Sequence, residues 1–122
     1  MSDVNYSLQF RAARGLFNHS VNVAGITATM AADGMLSQTL TLSTNAASIQ
    51  TAKLASVGLA YMQNLSTHTA STAAVGVNAG SGFVGFCTLK AAEAAMMRLT
   101  PGIEYEAKGG SGTQLRVDIL EG

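Results

Sequence analysis

Charge is the scarcest property of this chain: seven basic and seven acidic residues among 122, neither sign gathered into a run, with a formal net charge of zero. Nucleic-acid binding normally rests on a basic stripe that neutralises phosphates, and none is present. Acid/base, nucleophilic and metal chemistry require clusters of titratable side chains. Here such residues are few and scattered, so no catalytic, cofactor-binding or metal-ligating set is expected. The single cysteine excludes an intramolecular disulfide and a thiolate metal cage. Cys87 lies between Phe86 and Thr88 in an apolar stretch and reads as a buried structural thiol.

Tryptophan is absent, and three Tyr and four Phe are the only aromatics. The core must therefore be built from Val, Ile, Leu and Met. The same shortage weakens a carbohydrate-binding or adhesion module, which stacks sugars on flat rings. No apolar run is long enough to span a bilayer, and Met1 to Asn5 lacks a basic region, so neither membrane anchoring nor a cleaved export signal is expected.

What is present is a set of 23 Ser and Thr residues, placed largely between regularly spaced apolar residues. Rows of β-branched hydroxyl residues suit a strand face that is half-wet or meets another surface. A length of 122 residues fits one domain over 1–122, in which roughly 65% of the unfolded surface can be buried. Near-zero net charge gives little colloidal repulsion, so the surface is compatible with self-assembly.

Val4, Tyr6, Leu8 and Phe10 alternate with Asn5, Ser7 and Gln9, which predicts an opening strand. Ile26, Ala28 and Met30 alternate with Thr27 and Thr29 in a second, over Val21 to Met30. Asp33-Gly34 then favours a tight turn, and Leu36, Leu40 and Leu42 form a return strand, so these two segments are expected to pair as a hairpin. Ala47 to Ser56 reads as irregular strand or loop. Leu59 to Leu65, Ala73 to Val77, Phe83 to Leu89 and Ile103 to Ala107 read as strands. Leu115, Val117 and Ile119 mark the last one, after the Gly-rich loop 108–112.

Lys90 to Leu99 is ambiguous: Ala, Glu and Met favour a short helix around 90–98, whereas its neighbours all read as strands. Thr100-Pro101-Gly102 ends the segment. Short strands at this spacing predict an all-β single domain, a β-sandwich or jelly-roll-like fold.

Three local motifs have plain alternatives. Gly80-Ser81-Gly82-Phe83-Val84-Gly85 matches a dinucleotide-binding glycine pattern, with Glu104 and Glu106 downstream, but no helix is expected at its third glycine; a hairpin loop accounts for it. His19 and His68 read as exposed loop residues without ligand-spaced partners, although His68 could still meet Cys87 in space. Asn5, Asn18 and Asn64 each begin a glycosylation-type triplet without an export context.

The second half, from about Leu59 to Glu121, carries a recurring order of pieces. Gln63-Asn64-Leu65-Ser66-Thr67 is followed by Val75-Gly76-Val77, by Phe83 to Leu89, by Ala95 to Leu99 with Thr100-Pro101-Gly102, by Tyr105-Glu106-Ala107-Lys108, and by Ile119-Leu120-Glu121. This half resembles small β-rich virion proteins of tailed bacteriophages, including capsid decoration or cement proteins. Such proteins often carry Pro-Gly-Glu after the leucine that corresponds to Leu89, where this chain has Lys90-Ala91-Ala92-Glu93.

The resemblance implies a jelly-roll-like sandwich, with Lys90 to Leu99 as strand. It also implies a virion protein assembled in the host cytoplasm, with the major capsid protein or other virion proteins as partners, acting as a homo-oligomer such as a trimer. A tail, fibre or head-to-tail connector component is the neighbouring alternative.

Overall fold

The computed structural model describes residues 3–30, 34–68, 70–80 and 82–122. Its strands are β1 (Val4–Arg14), β2 (Phe17–Ala28), β3 (Met35–Thr41), β4 (Ala47–Ser48), β5 (Val57–Asn64), β6 (Ala73–Asn78), β7 (Phe83–Leu89), β8 (Ala94–Arg98), β9 (Tyr105–Gly109) and β10 (Gln114–Glu121). The described residues contain no helix, so the fold is all-β, as the alternation predicts. The chain forms two compact units, Met1–Ala31 and Ala32–Gly122.

The second unit is a sandwich of two four-stranded sheets, ordered β3-β10-β5-β8 and β4-β9-β6-β7, with all neighbouring strands antiparallel. Its pairings are nested. β6 meets β7, β5 meets β8, β4 meets β9 and β3 meets β10, as if one long hairpin had been folded over on itself. That wrapping is the jelly-roll arrangement.

Alternation places Leu115, Val117 and Ile119 of β10 and Ala60 and Met62 of β5 on one inner face, and Ala73, Val75, Tyr105 and Ala107 on the other. With Leu42, Ile49, Leu89 and Leu99 they form one buried cluster. Gly76 permits the β6–β7 contact: a Cβ there would lie 2.2 Å from the Val84 carbonyl oxygen, and the register slips beside it.

One expected pairing is overturned. Val21 to Met30 does not return onto Leu36 to Leu42; β2 pairs with β1, and β3 pairs with β10. The two-residue connection Gly15-Leu16, glycine first and at φ +58°, closes β1 onto β2 as a type II′ hairpin does. Asp33, half of the turn anticipated there, lies outside the described residues. β3 instead finds a longer apolar match, Leu36 and Leu40 facing Ile119 and Leu115.

The helical alternative for residues 90–98 is also overturned, and Asn64 accounts for it. Asn64 is fully buried at the end of β5. Its Nδ2 donates to the Ser71 and Leu89 carbonyl oxygens, each at 3.1 Å, and its Oδ1 accepts from the Ser66 N–H at 3.0 Å. Its backbone N–H donates to the Glu93 carbonyl, and its own carbonyl accepts from Ala92, both at 3.0 Å.

Those bonds hold 90–93 as a turn, closed by the Glu93 carboxylate accepting the Lys90 N–H at 2.7 Å. Ala92 takes φ +67° there, so the turn survives with alanine in a conformation that suits glycine. Beyond it, Ala95 and Met97 face the core and pair with Met62 and Ala60. Tertiary pairing outweighs a helix propensity of a few tenths of a kcal/mol per residue.

Two stability changes of opposite sign are expected. Asn64→Ala strands two buried carbonyls and one N–H, and should lower unfolding free energy by about 2–4 kcal/mol in a urea titration. Ala92→Gly relieves a left-handed alanine and should raise it by up to about 1 kcal/mol in the same assay.

Candidate functional site

No group of three or more His, Cys, Asp or Glu among the described residues is placed to hold a metal ion. His19 lies within β2, not in a loop, and its ring meets Phe10 edge-on with centroids 5.7 Å apart. His68 does lie in a loop, where Nδ1 accepts the Ala70 N–H at 3.2 Å. Cys87 is half-buried in β7 and packs against the core cluster. Desolvation, and secondarily the negative charge of Glu93, push its thiol above the ordinary range.

The glycine motif forms the connection between β6 and β7. Gly80 and Gly82 take φ +84° and +131°, Gly80 N–H donates to Asn78 Oδ1 at 2.9 Å, and Ala79 N–H donates to the Gly82 carbonyl at 3.1 Å. Ser81 lies outside the described residues. Phe83 and Gly85 enter a strand where a dinucleotide site would open a helix. Of the glycosylation-type asparagines, Asn64 is committed to the fold by the bonds above.

Recesses in the sandwich have little convergent chemistry. One of about 290 Å³ is lined by Leu36, Gln38, Gln50, Ala52 and Lys53. Its amides are already engaged: Gln38 Nε2 donates to the Gln50 carbonyl at 2.9 Å, and Gln50 N–H donates to Gln38 Oε1 at 3.1 Å. The Ser/Thr row of β3 is exposed at Ser37, Thr39 and Thr41. Ser37 Oγ donates to Asp118, whose other oxygen is bound by Arg116 at 3.0 Å.

The features that ask for a partner are apolar. In the first unit, the β1–β2 register sets Val4, Tyr6, Leu8, Phe10 and Ala12 opposite Ala28, Ile26, Val23, Val21 and His19. Directly opposed residues share a face, so one side of the hairpin is a largely apolar stripe, with His19 within it and Arg14, opposite Phe17, at its turn end. Asn5, Gln9 and Arg11, opposite Thr27, Asn22 and Ser20, make the other side polar.

Val23 and Ile26 are three apart and would fall on opposite faces of a regular strand. A bulge at Gly25, with φ +70°, returns them to the same one. The stripe is nevertheless open: Leu8 is 49% exposed, Phe10 and Phe17 61% each, and Val21 and Val23 43% each.

A second apolar feature lies on the sandwich. β7 and β8, consecutive in sequence, are each an edge strand of their sheet. β7 contains no charged residue, and Val84 and Phe86 on it are 52% and 50% exposed. Phe86 still touches the core edge-on, its ring centroid 6.4 Å from that of Tyr105.

The sequence matches no known protein family and no curated protein. No helix among the described residues is long and apolar enough to cross a membrane.

The sequence reading placed interaction on the Ser/Thr-rich faces and the charge-poor edges, and it did not single out the hairpin stripe. The signal for it was the alternation Phe17, His19, Val21, Val23, re-phased at Gly25 to Ile26.

The Cys87 environment has a measurable consequence. Alkylation at pH 8 should be slower in the folded chain than in urea, because the neutral thiol is favoured and partly covered. A raised thiol pKa stabilises the fold fully below the unfolded value of 9.0, and that contribution is lost as pH rises above it. Replacing Cys87 with Ser should therefore flatten the loss of stability between neutral and strongly alkaline pH in thermal melts.

Proposed function

We propose that this chain is a structural protein of a tailed-phage virion, a capsid decoration or cement protein that binds the major capsid protein and stabilises the shell. The observation that carries the reading is the amphipathic hairpin with its apolar stripe open. A two-stranded hairpin is marginal in water by itself, and a contiguous exposed apolar face marks an interaction site. The jelly-roll wrapping lends support, because that fold recurs in viral capsid proteins, although lectins and cupins share it.

Low charge fits the same role. A surface that docks permanently on neighbours avoids the desolvation penalty of stranded ions. In this reading the chain works by contact area, as a homo-oligomer on the particle, with no catalytic step and no cofactor.

Mass spectrometry and electron microscopy of purified particles test the proposal. The chain is expected on the head in regular copy number, and heads lacking it are expected to open at lower temperature. Absence from intact particles would sink the virion reading. Density for the chain on the tail would overturn the decoration role and assign it to the tail.

A further inference from the structure

The hairpin stripe and the open β7 edge are two apolar surfaces of one chain, and each lacks what the other offers. The stripe presents Leu8, Phe10, Phe17, Val21 and Val23 as exposed side chains. On the β7 edge, Val84, directly opposite half-buried Val77, and Phe86 are each about half exposed. Edge strands of independent monomers are usually guarded by charge or proline. β7 has neither.

We propose that the apolar face of the hairpin is covered by the β7 side of a second copy of this chain, in reciprocal exchange. The inference deepens the virion reading by naming a partner contact within the assembly, but it is argued from the two surfaces alone.

Area favours the exchange over other self-contacts. An 11-residue strand is about 37 Å long, and two strands span about 10 Å, so one hairpin face covers roughly 360 Å². Packing two hairpin faces on each other would bury about 700 Å² in total, which is the range of incidental contacts. Seating each hairpin on the other copy's sandwich doubles this to about 1,400 Å², within the range of specific, stable interfaces. Exchange of an identical element between protomers is also a low-cost route to a dimer.

Light scattering on the purified full chain, with no other virion protein present, reads the outcome as mass. The wild-type chain is expected to be an oligomer. Val84→Lys, which places a charge on an exposed edge position, and Phe10→Asp, which interrupts the stripe, should each reduce it to the monomer mass. Thr39→Lys on the exposed polar row of β3 should leave the oligomer intact. Unfolding midpoints of the Val84 variant close to wild type would show that its sandwich is folded, which keeps the test valid if the hairpin variant misfolds.

A wild-type chain that stays monomeric at every attainable concentration overturns the inference, as does an oligomer that survives both substitutions. The two proposals fail separately. A monomer that still decorates particles removes the exchange and leaves the virion role standing, whereas a hairpin-dependent oligomer absent from particles does the reverse.

Discussion

The sandwich depends on one buried amide. Asn64 ends β5 in one sheet, yet its side chain holds the carbonyl of Leu89, the last residue of β7 in the other. The same side chain ties the 65–72 connection through Ser66 and Ser71, and its backbone fixes the 90–93 turn. A neutral amide has two donors and one acceptor oxygen to satisfy. All are used here, so a group that would cost several kcal/mol if buried alone becomes a staple between layers. With the turn fixed, β8 must start at Ala94 and run back along β5.

That staple also shows where sequence reasoning reaches its limit. Alternation made β1, β3 and β10 readable, because a period of two in apolar residues reports directly on a half-buried face. The Lys90 to Leu99 segment had no such period and was rich in helix formers; what decides it is a bond from a residue about thirty positions earlier, which no local pattern records. The backbone forms a turn there, with Ala92 in the left-handed conformation, and then the strand β8.

The first hairpin was misread for a different reason. Val21 to Met30 was phased from Ile26 onward, and that phase is reset by the bulge at Gly25. Read from Phe17, the apolar set is Phe17, His19, Val21 and Val23, and its natural partner is the Tyr6, Leu8 and Phe10 stripe before it. The glycine was visible, but a glycine inside a strand pattern only marks a bulge once the residues on both sides are allowed to be out of step. His19 was assigned to a loop for the same reason, and it belongs to the stripe beside Phe10.

Scarcity of charge is a weak observation alone, because low-charge chains can be ordinary monomers. It gains content from where the charges are missing. The seven residues of β7 and the seven of β3 include no acid or base, although both are edge strands. Unpaired N–H and C=O groups beside apolar side chains recruit other strands, and lysines on an edge oppose this. One safeguard is present on β7, the register slip that leaves Phe86 as an extra residue, and a slip of this kind limits indefinite strand addition without preventing face contact. The combination is what a surface requires when it must meet one specific neighbour and no endless series of them: apolar area to bind, an irregular edge to stop a fibril, and little charge to desolvate.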